Sequence, residues 1–319
     1  MPLRVAVNGV GYLGRHHARI LSALPGVELV AVVDTNRPRA EEIAAANGTR
    51  AFHDARDIAG HVDAVTIAVP TERHRDLALP FLLAGVPALV EKPMARSLDE
   101  ADAMIAAARQ AGVALAVGHT ERFNPAVEAA RPMLTAPRFI EVHRLGTFPE
   151  RSLDIDVVFD LMIHDLDVVL SLVPSVVESI DAVGVPVLTD RVDIANARLR
   201  FANGCIANLT ASRISRDRVR KIRFFQPSAY LSIDYAAQKL EMWHLVRRDG
   251  ATASIQGGDV DVTNEEPLKR ELADFVDAVV SRRPPGVTGE DGRRALALAQ
   301  QITDRINTDA ARTRQPEST

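Results

Sequence analysis

Lys92 closes the apolar run Pro87-Ala88-Leu89-Val90 within Glu91-Lys92-Pro93, and Asp160 and His164 stand four residues apart in Asp160-Leu161-Met162-Ile163-His164-Asp165. A lysine at the carboxyl end of a buried strand sits where open α/β sheets bind ligands, and its ammonium can donate to an oxygen that gains negative character. An imidazole that titrates near neutrality can take a hydroxyl proton. Together these groups suit the oxidation of a secondary alcohol, in which the hydroxyl loses its proton as hydride leaves the carbon. Two roles are open for Asp160: holding the hydroxyl or orienting the imidazole. By itself an Asp and a His at this spacing is more often a solvated or structural pair. Here they interrupt Val157-Val158-Phe159 and Leu161-Met162-Ile163, and polar groups among apolar neighbours need a reason. If the segment is helical, they share one face. Asp165 and Asp167 add carboxylates, but no second histidine stands at a matching position, so no metal is expected.

A hydride acceptor is foreshadowed at the start of the chain. Val5-Ala6-Val7-Asn8-Gly9-Val10-Gly11-Tyr12-Leu13-Gly14 is a strand running into G-x-G-x-x-G and then a helix. Gly9 permits the tight turn, Gly11 lets a pyrophosphate approach the backbone, and Gly14 permits close packing of helix on strand, with Tyr12 and Leu13 completing the loop. Asp34, twenty residues after Gly14, can accept both hydrogen bonds of an adenosine ribose diol and would repel a 2′-phosphate, so NAD is expected over NADP. Arg37 nearby could accommodate such a phosphate. Glu91 and Lys92 are expected beside the cofactor, and Thr71 and His74 follow the third strand at the same edge, where a plain strand-to-helix turn is the simpler reading. Arg122 either reaches the cofactor or forms a salt bridge between domains. From Arg213 to Arg223 there are six basic residues and one acid. Most suit a solvated hairpin, and Arg213 and Arg216 are the candidates to grip an anionic substrate, because arginine matches a diphosphate with paired hydrogen bonds.

The elements that must position these residues change character halfway. From Leu3 to Gly118, short apolar runs (Arg4–Val7, Leu29–Val33, Ala64–Ala68, Ala88–Val90, Ala114–Val117) alternate with helical patterns, and Ser97 and Glu100 form an S-x-x-E capping box. After Phe123-Asn124-Pro125 come helical patterns near Pro125–Leu134 and Val157–Leu172, a strand near Arg138–Gly146, then six strand-like segments between Val177 and His244, with Asn203-Gly204 as a hairpin signal. Helices near Pro267–Ser281 and Gly289–Thr308 close the chain. The fold class expected is α/β: a doubly wound parallel sheet of Rossmann type over 1–120, then an α+β domain on an open, mostly antiparallel sheet over 121–308, with 309–319 a disordered tail. With 319 residues, 47% hydrophobic and 25% charged, two domains are affordable. A net charge of −4 gives no global field for nucleic acid or an anionic membrane. Cys205 is the only cysteine, which excludes an internal disulfide and fits a reducing cytoplasm. No leader or membrane span is expected.

With strand–GxGxxG–helix, Glu91-Lys92-Pro93 and Asp160-x-x-x-His164 in this order, the chain resembles the glucose-fructose oxidoreductase/inositol dehydrogenase/rhizopine catabolism protein family over nearly its whole length. The resemblance implies an N-terminal NAD(P)-binding Rossmann domain and a C-terminal sheet that carries the substrate site and often the oligomer interface. It implies Lys92, Asp160 and His164 as the catalytic group and Pro93 as a cis residue. The stretch Val117–Pro125 and Asp160–Asp165 look like the nucleotide-sugar branch, whose members oxidise the 3-hydroxyl of UDP-N-acetylglucosamine for a partner aminotransferase and so supply the diamino sugar of some lipid A molecules. Asp154-Ile155-Asp156-Val157-Val158-Phe159 departs from the glycine-rich stretch that precedes the aspartate in many sugar dehydrogenases, which speaks against inositol or a free aldose. A homodimer or homotetramer is expected.

Overall fold

The computed structural model describes residues 1–148, 155–246 and 253–314. Its contacts divide the chain into two units: Met1–Thr120 with Glu266–Leu296, and Glu121–Glu265 with the chain from Ala297.

In the first unit, strands β1 (Leu3–Asn8), β2 (Val27–Val33), β3 (Arg50–Phe52), β4 (Ala64–Ile67), β5 (Ala88–Glu91) and β6 (Leu115–Gly118) lie all parallel in the order 3-2-1-4-5-6. This is the doubly wound order, with its switch point between β1 and β4. Helices α1 (Gly14–Ala23), α2 (Arg37–Ala46), α3 (His74–Leu83) and α4 (Leu98–Ala111) connect the strands. Strands β4, β5 and β6 are buried along their whole length, which is why they read as unbroken apolar runs. The capping box of α4 is half formed: Ser97 Oγ accepts from the Glu100 N–H at 3.3 Å, but the Glu100 carboxylate turns to the Arg96 backbone and guanidinium.

The second unit holds α5 (Pro125–Ala130), β7 (Phe139–Leu145), a π-helical turn (Val158–Met162) continuing into α6 (Ile163–Leu172), and β8 (Val177–Val185), β9 (Ile194–Phe201), β10 (Ile206–Ser212), β11 (Val219–Gln226), β12 (Ala229–Asp234), β13 (Lys239–Val246) and β14 (Ser254–Val260). The strands form one open sheet, 14-13-12-11-7-10-9-8, antiparallel except where β7 meets β10. Its strands alternate buried and exposed residues, the signature of a sheet covered on one face.

Two boundaries differ from expectation. Helix α7 (Pro267–Ser281) and the start of α8 (Gly289–Arg314) return to the first unit, because Leu268, Leu272 and Phe275 are buried in one core with Val5, Val7, Leu21 and Leu89. The chain is helical past 308, with α8 running to Arg314, so 309–314 are not a disordered tail. Residues 315–319 lie outside the described residues, as does Asp154.

Candidate active site

At the carboxyl ends of β1, β2, β4 and β5, the first unit gathers Gly9, Gly11, Gly14, Asp34, Thr71, His74, Glu91 and Lys92. Gly9 has φ +82°, and a Cβ there would lie 2.6 Å from Val69 and 2.7 Å from the Ala68 carbonyl oxygen. A Cβ on Gly14 would lie 1.8 Å from the Gly9 oxygen. Gly11 has no atom within 4 Å of that position. The outer two glycines are thus demanded by the fold, whereas Gly11 leaves open exactly the cradle a pyrophosphate needs beside the N-terminus of α1.

Asp34 accepts from the Val10 N–H through Oδ2 and from the Asn36 N–H through Oδ1, both at 2.9 Å. It therefore fixes the glycine loop, and each oxygen keeps a lone pair for a ribose hydroxyl. These residues fit a dinucleotide. Arg37 is exposed, and the arginine that touches the loop is Arg39, whose Nε donates to the Val10 oxygen at 3.0 Å. Tyr12 is 61% exposed on the loop, with the Arg15 guanidinium 5.1 Å from its ring centre, while Leu13 packs against the core.

Three of the expected cofactor contacts have partners within the protein. The buried Glu91 carboxylate meets His17 Nε2 at 3.0 Å and accepts from the Lys92 N–H at 3.3 Å. His74, also buried, sets Nδ1 3.0 Å from the Pro93 oxygen and Nε2 2.9 Å from the Val69 oxygen. Burial pushes its pKa below the ordinary histidine value, against the pull of those carbonyls and of Glu91. Arg122 forms a bidentate pair with Asp167, at 2.8 and 2.9 Å, inside the second unit. Lys92 is half-buried, and the Lys92–Pro93 bond is cis.

In the second unit, Asp160 lies on the π-helical turn and His164 on the first turn of α6, both half-buried. Such turns insert an extra residue into a helix and are frequent at functional sites. A buried ionic cluster anchors α6. Arg144 on β7 donates to both Asp165 oxygens at 2.6 and 2.9 Å and to Glu121 at 3.1 Å, and its guanidinium lies 5.2 Å from the Tyr235 ring centre. Burial disfavours this cation, yet Asp165 and Glu121 hold it above its ordinary value. Asp165 and Asp167 are therefore held by arginines. Among the described residues no three His, Cys, Asp or Glu side chains gather as a metal site would.

The basic run divides. Arg213 is 1% exposed and donates to the Ile155 and Val192 carbonyls beside Asp193, so it is structural and unable to meet a soluble anion. Arg216 is exposed. Sequence reasoning missed His17, Arg39, Arg144 and Tyr235. Only His17 carried a signal, as a histidine three residues after Gly14 on the helix that a dinucleotide loop must start.

Residues 3–119 match the oxidoreductase family with an NAD-binding Rossmann fold, and 137–226 match the GFO/IDH/MocA C-terminal domain. The chain is 41% identical over 304 residues to the UDP-N-acetylglucosamine 3-dehydrogenase of Acidithiobacillus ferrooxidans, covering 94% of this chain and 96% of that protein. A solved structure of the enzyme so named from the same organism superposes with a TM-score of 0.90 at 39% identity, over 97% of this chain and 99% of the other. The scyllo-inositol 2-dehydrogenase (NAD(+)) of Bacillus subtilis is 30% identical over 234 residues, covering 67% of this chain and 68% of that one.

Proposed function

The chain belongs to the GFO/IDH/MocA oxidoreductase family, with its NAD-binding Rossmann fold, and from that premise we propose that it oxidises the 3-hydroxyl of UDP-N-acetylglucosamine to a ketone. The observation that carries the substrate is the likeness to the Acidithiobacillus enzyme, which runs through both units. Bound NAD supplies the acceptor for the hydride of the carbinol carbon. His164 takes the hydroxyl proton, Lys92 donates to the same oxygen as it becomes a carbonyl, and Asp160 holds the hydroxyl or orients the imidazole. The Gly9–Gly14 loop and Asp34 seat the dinucleotide, and exposed Arg216 offers a guanidinium to the diphosphate.

The test is incubation with NAD and UDP-N-acetylglucosamine deuterated at C3, followed by mass spectrometry of the cofactor. Deuterated NADH is the expected result. With NAD binding established, absence of label would refute the substrate, and label from inositol instead would transfer the reading to a cyclic polyol. Lys92→Ala and His164→Ala are each expected to abolish turnover with NAD binding nearly intact; undiminished turnover in either would remove that residue's role.

The ketone would then pass to an aminotransferase, supplying a diamino sugar for lipid A, in the cytoplasm where NAD and nucleotide sugars are made. No described helix is long and apolar enough to cross a membrane. Assembly as a homodimer or homotetramer is supported by a row of aromatic residues on one face of the second unit's sheet. Phe139, Phe225 and Tyr230 lie with ring centres 5.6 and 5.2 Å apart, and Trp243, paired with Tyr230, is 41% exposed. Exposed apolar surface of this kind is commonly covered by a second copy; light scattering on the purified protein reads the mass directly.

A further inference from the structure

Two buried imidazoles flank Lys92, one on each side along the chain. His17, on α1, is fully buried, and its Nε2 meets the carboxylate of Glu91, the residue before Lys92, at 3.0 Å. Gly118 at the end of β6 backs that carboxylate: a Cβ there would come within 2.7 Å of the carboxyl carbon and both oxygens. His74, at the start of α3, is likewise fully buried, and its Nδ1 meets the carbonyl of Pro93, the residue after Lys92, at 3.0 Å. Both imidazoles are tied to the dinucleotide loop. His17 lies one helical turn beyond Gly14, and His74 Nε2 meets the carbonyl of Val69, whose side chain lies against Gly9.

We propose that His17 and His74 are positioning residues that fix Lys92 relative to the glycine loop, by holding the side chain before it and the carbonyl after it. Buried polar groups are costly to bring out of water unless they are partnered, and these two imidazoles place ring nitrogens on the Glu91 carboxylate and on the Pro93 and Val69 carbonyls. Their contacts fall on Glu91 and Pro93, the two neighbours of the half-buried Lys92. A lysine stem has four rotatable bonds, and a fixed backbone on both sides limits where its ammonium can go. Misplacing a catalytic group by about 1 Å can cost about a hundredfold in rate. The inference rests on the reading of Lys92 as the donor to the reacting oxygen.

The chain has only four lysines, Lys92, Lys221, Lys239 and Lys269, so reductive methylation with 13C-formaldehyde gives a spectrum in which each is followed separately, and Lys92→Arg identifies the signal of Lys92. In His17→Leu and His74→Leu the Lys92 signal of the protein without cofactor is expected to move and change its titration, with the other three unmoved. Turnover is expected to fall by about ten- to a hundredfold with KM for NAD within about threefold. His17→Gln, which keeps a donor for Glu91, should recover part of the loss. A Lys92 signal and turnover both unchanged in the leucine variants would overturn the proposal. Should those variants fail to fold, Gly118→Ala displaces the Glu91 carboxylate from the opposite side, and an unmoved Lys92 signal there would overturn it equally. Full turnover in Lys92→Ala would instead remove the catalytic reading on which the inference rests, a result distinguishable because the lysine signal still reports the histidine contacts.

Discussion

The glycine loop separates what the fold needs from what the cofactor needs, and two alanine substitutions test that separation. At Gly14 the added methyl would sit 1.8 Å from the Gly9 oxygen and 2.8 Å from its carbonyl carbon. Non-bonded heavy atoms come to rest about 3.5–4.0 Å apart, so α1 must move away from the loop by more than about 1 Å. Overpacking of this kind costs about 1–3 kcal/mol. For a unit of this size each kcal/mol lowers the melting temperature by about 2–4 °C. Gly14→Ala should therefore melt several degrees below the native protein with no cofactor present.

Gly11→Ala should behave in the opposite way. No atom lies within 4 Å of its Cβ position and its backbone is outside the left-handed region, so the folded state accepts the methyl at a change within about 0.5 kcal/mol. In the proposed seating of the dinucleotide the same methyl stands where the pyrophosphate approaches the backbone, and a loss of about 1.4 kcal/mol there weakens NAD about tenfold. Differential scanning fluorimetry of the apoprotein and NADH fluorescence titration read the two effects separately. Native NAD affinity in Gly11→Ala would refute the placement of the pyrophosphate, and a native melting temperature in Gly14→Ala would refute the packing argument.

Arg216→Glu should raise KM for UDP-sugars more than for uncharged sugars, and equal effects in steady-state assays would remove the diphosphate role; Arg213→Met should instead lower stability by about 1–3 kcal/mol in urea titrations, since it strips two buried carbonyls of their donor. Asp193 is pushed up by burial but drawn down to about 2 by the Leu188, Thr189 and Val187 N–H groups and the Thr189 hydroxyl. Because its folded value lies below the unfolded one, its contribution, about 2 kcal/mol, is present above pH 4 and lost as pH falls toward 2, so Asp193→Asn should differ from the native protein at pH 7 and converge with it in acid; a gap independent of pH would refute this. Burial pushes the Cys205 thiol up to about 11, so thiol reagents at pH 8 should label it only in denaturant, and rapid labelling of the native protein would contradict that burial.

The first unit was legible because its physics is local: parallel strands buried on both faces are unbroken apolar runs, and the helices between them keep a 3.6 period. The strands that escaped notice are those with least apolar content, the three-residue edge strand Arg50–Phe52 and Ser254–Val260, where Gly257 packs against the Met242 carbonyl in place of a side chain. The return of α7 to the first unit was invisible for a different reason. An amphipathic stripe such as Leu268, Leu272 and Phe275 states that a helix will be covered and is silent about what covers it.

The same distinction between local and distant causes governs the site. Gly9, Gly11, Gly14 and Asp34 announce themselves because backbone conformation and motif spacing are local constraints. The partners of charged groups are not local: Glu91 lies 74 residues from His17, Arg144 lies 21 from Asp165, and Arg122 lies 45 from Asp167. Arg213 shows how composition misleads when such a partner is unseen. Within a run of six basic residues it reads as one more solvated charge, yet it directly follows β10 and turns inward, where two carbonyls and Asp193 replace the water it lost. A buried cation survives only with that replacement in place, so the arginine of this run that the fold supplies with buried partners is the one least able to meet a soluble anion.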